Sequence, residues 1–391
     1  MENNVKKIIG DVFNQMAEGL ETGSFAKRIR VGLTTLGSEL GTEELVKGAQ
    51  LAAARNPAIE VVLIGSSGNS DLRTVAVEDE DKMHEKMEEM LDSGEIDCCV
   101  TMHYNFPIGV STVGRVLTPG AGKEMYIATT TGTSAVARVE AMVRNAICGI
   151  ACAKAMGNPR PTLGILNVDG ARQTERILLG LNEKGYEINF AVSGRSDGGH
   201  VMRGNDLLTG TPDIMVTDTL TGNILMKVFS SYTTGGSYEA VGYGYGPGVG
   251  EGYSRIILIL SRASGAPVAA NAIEYAAGLA RGRLAEMTAG EMAAAKKAGL
   301  EDLLVQTKKD QPAAESKEKV QAPPKKIVTA SISGIDIIDL DSAVEVLWKG
   351  KIYAETGMGC TGPVVMVAED QLDEAADLLK KEGYITKDAQ Q

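Results

Sequence analysis

Strand-like and helix-like segments alternate along most of this chain, and this order constrains the fold more than any other feature. Apolar runs typical of buried strands occur at residues 29–36, 59–64, 96–102, 125–130, 163–168, 188–192, 214–217 and 256–260. Helical spacing of apolar residues fills several of the intervals between them. Glycine is abundant, at 46 of 391 residues, which favours tight turns between strands and helices. The pattern predicts an α/β protein with a doubly wound, mostly parallel sheet.

Composition divides the chain into four segments. Residues 1–24 have the apolar spacing of an amphipathic helix, and residues 25–305 hold the alternating α/β body. Residues 306–326 are rich in Lys, Gln, Glu, Ala and Pro, with Val320 as their only large apolar residue. That composition predicts a flexible linker. Residues 327–391 return to the alternating pattern, so we expect a small C-terminal α/β unit joined to the body by this linker.

Charge and cysteine content exclude several classes of protein. The chain has 51 acidic and 39 basic residues, a formal charge of −12, and no basic cluster, which argues against nucleic acid or a membrane as a partner. No apolar run is long enough to span a bilayer, and no signal peptide is recognisable at the start. The five irregularly spaced cysteines and three histidines have no metal-ligand spacing. We therefore expect a cytoplasmic protein without a metal.

Two glycine-rich segments lack the spacing of nucleotide-binding motifs. Residues 242–252 contain no Gly-x-Gly-x-x-Gly and precede a predicted strand, whereas the dinucleotide fingerprint follows one. Gly122 and Lys123 lack the Ser or Thr that completes a P-loop. We expect no nucleotide cofactor, and we interpret 242–252 as a close backbone passage or a mobile loop.

Cys360 is the strongest candidate nucleophile. It lies between two predicted strands, with Gly357 and Gly359 before it and Thr361 and Gly362 after it. The glycines leave backbone N–H groups exposed, and such donors lower the pKa of a thiol and stabilise an oxyanion. A tight turn that merely contains a cysteine would have the same sequence, so both interpretations stay open on spacing alone.

The other cysteines are weaker candidates. Cys98 and Cys99 are adjacent on a predicted strand and should point to opposite faces, with at least one in the core. Together with His103, in the polar loop that follows this strand, they form an alternative catalytic group, because α/β proteins bind ligands at the carboxyl ends of strands. Cys148 and Cys152 lie four residues apart on a helix, and we expect both to be buried.

The remaining histidines have no partner that the sequence reveals. His84 lies on a highly charged helix, where we expect it to be solvated. His200 lies in a glycine-rich loop, and no nucleophile is close to it in sequence.

Residues 218–223 form a candidate phosphate site. They follow an apolar strand and open a helix, and a helix N-terminus favours anions. The candidate ligands are Asp218, Thr219, Thr221, Gly222 and Asn223. Simple capping of the helix by Asp218 or Thr221 would explain the same residues, and the sequence does not choose between the two interpretations.

Two long stretches resemble a known family. Residues 29–65 and 213–236 are similar to the phosphate acyltransferases of phospholipid synthesis, which in turn resemble the phosphate acetyltransferases. The resemblance implies an isocitrate/isopropylmalate dehydrogenase-like fold for the body. The acyltransferases carry an acidic Gly-Gly-Asp signature after the first strand, and residues 33–38 read Leu-Thr-Thr-Leu-Gly-Ser here.

With residues 103–107, the 218–223 turn and the Cys360 loop included, nearly the whole chain resembles the alpha subunits of component C of the glycine/sarcosine/betaine reductase complex. In that family a selenoprotein, protein A, carries a carboxymethyl group, which component C converts into an acetyl thioester that phosphate releases as acetyl phosphate. The resemblance implies that Cys360 carries the acyl group. It also implies the component C beta subunit, selenoprotein A and phosphate as partners, and no cofactor.

Two other functions stay open on the sequence. The chain would also suit a free-standing phosphate acyltransferase that acts on acyl carrier protein or coenzyme A thioesters, with Cys360 incidental. A non-catalytic scaffold, whose partner holds the active site, is the second alternative. The sequence does not reveal which group would activate Cys360.

Overall fold

The computed structural model describes residues 13, 16, 28–195, 198–310, 322–335, 339–359 and 362–385. The predicted N-terminal helix, most of the predicted linker, and Cys360 and Thr361 therefore lie outside the described residues. Within these ranges no helix is both long and apolar enough to cross a membrane.

The larger of two sheets has twelve strands. They are β1 (Ile29–Thr34), β2 (Ile59–Gly65), β3 (Thr74–Ala76), β4 (Cys98–Thr101), β5 (Val110–Leu117), β6 (Glu124–Thr133), β7 (Thr162–Leu166), β8 (Asn189–Phe190), β9 (Val201–Met202), β10 (Ile214–Val216), β11 (Gly246–Gly250) and β12 (Ile257–Ile259). Their order is β3-β2-β1-β4-β12-β11-β5-β6-β10-β7-β8, and β9 also pairs with β7.

This sheet consists of two parallel halves that run in opposite directions. Strands β3, β2, β1, β4 and β12 are parallel to one another, and so are β6, β10, β7, β8 and β9. The pairs β12/β11, β11/β5 and β5/β6 are antiparallel. The predicted fold class, doubly wound and mostly parallel, is confirmed. Because three antiparallel pairs separate the halves, their carboxyl ends lie at opposite ends of the sheet.

Nine helices of the described body cover the two faces of this sheet. They are α1 (Thr42–Arg55), α2 (Glu80–Asp92), α3 (Arg138–Ala155), α4 (Ala171–Glu183), α5 (Gly204–Thr209), α6 (Thr219–Ser231), α7 (Ala266–Arg281), α8 (Leu284–Lys297) and α9 (Leu300–Asp310). Helices α1, α3, α4, α7, α8 and α9 share the largest apolar core. Helices α2, α5 and α6 pack on the opposite face, over two smaller clusters. We call this opposite face the α2/α6 face.

The glycine-rich segment 242–252 contains strand β11, which pairs on both sides and joins the two halves. A Cβ atom at Gly248 would lie 2.2 Å from the Phe106 ring, and one at Gly246 would lie 1.8 Å from the Val113 carbonyl oxygen. The glycines are therefore required by close contacts. This confirms the interpretation as a close backbone passage and contradicts the mobile loop.

The smaller sheet lies in the C-terminal part of the chain. It contains β13 (Ala330–Ser333), β14 (Ala354–Gly359) and β15 (Gly362–Val367), with β15 in the centre and both pairings antiparallel. Helices α10 (Leu340–Lys349) and α11 (Leu372–Lys381) contribute Leu347 and Leu379 to an apolar cluster with Val365. Helix α9 ends at Asp310, so residues 306–310 of the predicted linker are helical.

Candidate functional site

The strand order brings the carboxyl ends of β1, β4 and β12 together, and we call the part of the α2/α6 face at these strand ends the crevice. The chain leaves β1 and β12 towards helices α1 and α7, which belong to the largest core. It leaves β4 towards Tyr104 and Phe106, which pack on the opposite face with both smaller clusters. Neighbouring strands whose connections diverge in this way are where α/β proteins form ligand crevices. Helix α2 flanks the crevice on one side and helix α6 on the other.

Hydroxyl groups line the strand ends at this crevice. Thr34 ends β1 and Thr101 ends β4; both are fully buried, and Thr34 Oγ1 donates to Thr101 Oγ1 at 2.8 Å. Thr101 of β4 pairs with Ile259 of the neighbouring strand β12, and Ser261 follows Ile259 by two residues. Three neighbouring strands thus bring hydroxyls to one edge of the sheet, and those of Thr34 and Thr101 are bonded to each other beneath its surface.

Lys227 of α6 provides the crevice with a cation. Its Nζ donates to Ser261 Oγ at 2.9 Å and lies 2.9 Å from Glu239 Oε1. Glu239 is 1% exposed, and its other oxygen accepts from Ser264 Oγ at 3.3 Å. Burial lowers the pKa of Lys227, but the hydrogen bond and charge of Glu239 outweigh it and raise the pKa above its ordinary value. Lys227 therefore remains an ammonium group.

Arg262 adds a second cation beside the crevice. It directly follows Ser261, and its guanidinium lies 3.4 Å from Glu80 at the start of α2. About half of the Arg262 side chain is exposed, so its remaining donors are open to a ligand. The Ser261 hydroxyl contacts the Lys227 ammonium group and directly precedes Arg262 in the chain, and groups of this kind suit a phosphate.

His84 also belongs to this crevice, which corrects the expectation that it is solvated. It is half-buried, its Nε2 lies 3.3 Å from Thr101 Oγ1, and its ring meets Tyr104 edge to face at 6.1 Å. Burial, and then the charge of His103, lower the pKa of His84 below its ordinary value. The His103 side chain is exposed at the start of the loop after β4.

At the predicted phosphate turn, the structure shows helix capping. The Asp218 carboxylate accepts from the backbone N–H groups of Leu220 and Thr221, both at 3.1 Å, and from the Thr221 hydroxyl at 2.7 Å. A carboxylate thus already occupies the donors that a phosphate would use, and its negative charge would repel one. The capping interpretation of this turn therefore accounts for the sequence.

The other residues of this turn attach α6 to β6. Thr219 Oγ1 donates to the Gly132 carbonyl at 3.0 Å, and Asn223 Nδ2 donates to the Thr130 carbonyl at 3.1 Å. A Cβ atom at Gly222 would lie 1.7 Å from the Thr129 carbonyl oxygen. The turn follows β10, so it lies at the opposite end of the sheet from the crevice. Helix α6 runs back across the sheet and brings Lys227 to the crevice.

The four described cysteines are all buried. Cys98 and Cys99 belong to the clusters on opposite faces, as predicted. Burial raises the pKa of both thiols, so neither supplies a thiolate near neutral pH, and the alternative catalytic group loses its nucleophile. Burial also raises the pKa of Cys148, to about 12, and that of Cys152. Both lie in the core, as expected.

Cys360 and Thr361 lie outside the described residues, but the strands on either side of them are described. Gly359 ends β14 and pairs with Gly362, the first residue of β15. Gly357 pairs with Val364 two residues further along these strands. The glycines that the sequence singled out therefore belong to two paired antiparallel strands that Cys360 and Thr361 connect.

His200 lies away from the crevice, in the half of the sheet formed by β6 to β10. Its Nδ1 is 3.0 Å from the Ala191 carbonyl oxygen, and its ring packs against Phe190 at 4.7 Å. Sequence reasoning missed Lys227, Glu239 and Ser261. The available signal was a serine and an arginine directly after the buried strand at 256–260, at a carboxyl end where ligands bind.

Comparison with known proteins is consistent with this architecture. The family described as "Fatty acid synthesis protein" matches residues 29–366. The component C alpha subunit of the glycine/sarcosine/betaine reductase complex from Peptoclostridium acidaminophilum is 62% identical over 98% of this chain and 100% of its own. A phosphate acyltransferase from Geobacillus sp. (strain WCH70) is 24% identical over 51% of this chain and 70% of its own.

Among solved structures, a branched-chain phosphotransacylase from Enterococcus faecalis V583 has 17% sequence identity and a TM-score of 0.45, and covers 64% of this chain and 99% of its own. The sequence relatives decide the classification, because the match at 62% identity spans nearly the entire length of both chains. The chain therefore belongs to the fatty acid synthesis protein family and, within it, to the alpha subunits of component C of the glycine/sarcosine/betaine reductase complex.

Proposed function

We propose that this chain transfers an acetyl group from a thioester to phosphate, as part of component C of a glycine reductase complex. Cys360 holds the acetyl group as a thioester after the two-carbon unit arrives from selenoprotein A, and phosphate removes it as acetyl phosphate. The proposal is supported by the relative at 62% identity and by the phosphate acyltransferases among the more distant relatives. The component C beta subunit is the expected partner in the complex.

The observation that carries the proposal is the group of Lys227, Ser261 and Arg262 at the crevice. Two cations and a hydroxyl at the carboxyl ends of parallel strands match the charge and the acceptor oxygens of phosphate. Because Glu239 fixes the Lys227 ammonium from its buried side, the same lysine can face a ligand from its exposed side.

The transfer to phosphate has two reactants, the acetyl thioester and phosphate. A phosphate oxygen forms a bond to the carbonyl carbon, and the bond from that carbon to sulfur breaks. A thiolate is a good leaving group, so a thioester stays reactive towards phosphate. No atom changes its oxidation state in this transfer, and for that reason we propose that it uses no cofactor.

We also propose that the C-terminal unit, residues 327–391, moves relative to the body to bring Cys360 to the crevice, with the part of the predicted linker that follows α9 as its tether. In the structure this unit contacts α4 through an ion pair of 3.6 Å between Arg176 and Asp339. Helix α4 packs on the face opposite the crevice. A covalently attached unit on a flexible tether reaches a second site without leaving the protein.

Replacing Lys227 with methionine should raise the KM for phosphate about 10- to 100-fold, because a charge-assisted contact is lost. The measurement is the exchange of labelled phosphate into acetyl phosphate at increasing phosphate concentration. Lys47→Met is the matched control, since the side chain of Lys47 is 64% exposed and its ion pair among the described residues is with Glu44, one turn away. If Thr221→Ala raises the KM for phosphate and Lys227→Met leaves it unchanged, the phosphate binds at the start of α6 instead.

Alkylation should distinguish Cys360 from the other four cysteines. In the folded chain iodoacetamide should label Cys360 first, whereas Cys98, Cys99, Cys148 and Cys152 should react only after unfolding, because burial keeps them as inaccessible thiols. Peptide mass spectrometry identifies the labelled position, and acetyl phosphate added beforehand should protect it. Labelling of a buried cysteine in the folded chain at the rate of Cys360 would contradict this assignment.

A further inference from the structure

The transfer to phosphate requires a proton to change place. Hydrogen phosphate loses its proton when its oxygen becomes part of acetyl phosphate, and the sulfur that leaves the thioester gains one when it becomes a thiol. A group that accepts the first proton and donates the second lowers both barriers. Such a group has to be unprotonated before the reaction and close to the bound phosphate.

Most polar groups at the crevice are unsuited to this role. Lys227 keeps its proton because Glu239 raises its pKa above the ordinary value. The Glu239 carboxylate is buried beneath Lys227 and Ser264. Arg262 is a permanent cation. Burial raises the pKa of the Tyr245 phenol, to about 12, so it stays protonated.

His84 is placed differently from these groups. It projects from α2 over the end of β4, where its Nε2 lies 3.3 Å from Thr101 Oγ1. Thr101 in turn accepts from Thr34 Oγ1, so the two hydroxyls hold the imidazole against the edge of the sheet. The Leu260 backbone N–H donates to the Thr101 carbonyl, which places Ser261 next to the same strand end.

We propose that His84 is the proton relay of this site, a role that rests on the proposed function. As the phosphate oxygen bonds to the carbonyl carbon, the neutral imidazole takes the proton from that phosphate. As the carbon–sulfur bond breaks and sulfur leaves with the electron pair, the imidazolium gives the proton to sulfur. Acetyl phosphate and a thiol result, the total charge is unchanged, and His84 is again neutral.

The surroundings of His84 keep it neutral at physiological pH. Burial and the nearby His103 lower its pKa, and the opposing effect of carboxylates on its own helix is smaller. Those carboxylates are Glu80, Asp81 and Glu88. The Tyr104 ring and the Thr101 hydroxyl complete its contacts. At a constant concentration of the hydrogen phosphate ion, the rate should therefore be constant above this lowered pKa and should fall as the pH decreases through it, because the protonated ring cannot accept a proton.

The test is the exchange of labelled phosphate into acetyl phosphate by the full chain, measured from about pH 5 to about pH 9 at a constant concentration of the hydrogen phosphate ion. His84→Gln should lower the maximal rate about 10²- to 10⁴-fold, leave the KM for phosphate within about threefold, and remove the decline at acidic pH. Glutamine can still contact Thr101, and thermal unfolding checks that the fold persists. His84→Asn is the second variant if the first fails to fold.

His200→Gln is the matched control, because the same substitution is made at a histidine on the other half of the sheet. It should retain both the rate and the pH profile. The proposal is overturned if His84→Gln keeps the same decline of the rate at acidic pH. It is also overturned if that decline is lost in His103→Gln but not in His84→Gln, a result that would assign the relay to His103. If the unsubstituted chain shows no exchange, the proposed function fails and the relay with it.

Discussion

Replacing Cys360 with serine should abolish phosphate–acetyl phosphate exchange, a loss of at least about 10³-fold, because the substitution removes the nucleophile that carries the acyl group. A serine hydroxyl has a far higher pKa than a thiol and needs a strong base to react. With the unsubstituted chain, acetyl phosphate should add one acetyl group to the peptide that contains Cys360, and neutral hydroxylamine should remove it. Mass spectrometry of that peptide measures both steps.

Cys148→Ser is the matched control for this experiment. Cys148 is 1% exposed and lies in the largest core, so the change should lower stability and leave exchange at the level expected for the folded fraction. Full activity of Cys360→Ser on acyl carrier protein or coenzyme A thioesters would favour a free-standing acyltransferase. Unchanged activity of the complete reductase complex with this variant would favour a scaffold.

Replacing Gly222 with alanine should destabilise the protein by about 3 kcal/mol or more, because the new methyl group cannot be accommodated. Its carbon would lie 1.7 Å from the Thr129 carbonyl oxygen, and that atom belongs to the backbone of the central strand β6. The obstacle is therefore not a side chain that can rotate away. The shift of α6 that relieves the contact would also displace Lys227 and raise the KM for phosphate.

Gly290 provides a matched control, because it is also a helical glycine and a Cβ atom there would meet nothing within 4 Å. Gly290→Ala should stabilise the protein by about 0.5–1 kcal/mol, through the higher helix propensity of alanine. Urea unfolding of both variants gives the two free energies. Equal effects of the two substitutions would show that α6 does not pack on β6 as closely as the structure indicates.

The sequence predicted the elements whose pattern is local. Buried strands such as β10 and β12 are continuous apolar runs, and the opposite orientation of Cys98 and Cys99 follows from the strand period alone. Strand β11 was missed because its residues are mostly glycine and proline, and only contacts across the sheet, such as that of Gly248 with Phe106, make it a strand. Long-range packing of this kind leaves no periodicity in the chain.

The candidate site was predicted in part for a related reason. The sequence predicts a functional role for the helix that follows β10, but it places the phosphate at the first turn of that helix, where Asp218 is a cap. Which end of α6 lies at the crevice depends on the opposite directions of the two sheet halves. No local pattern in the sequence reveals these directions. His84 was assigned to solvent because its helix is charged, and its contact with Thr101 joins residues that the fold brings together.

The two strands that connect the halves of the larger sheet, β11 and β12, are the last of its twelve strands to leave the ribosome. Strands β1 to β4 of the first half, and β5 to β10 of the second, are all synthesised before β11 and β12. The halves are joined only when β12 pairs with β4 and β11 pairs with β5. Until residues 246–259 emerge, the nascent chain therefore has two unpaired inner edges of largely apolar strands. Such edges are prone to pair with the wrong partners, so chaperone binding during translation should concentrate in the interval between the synthesis of β5 and that of β12.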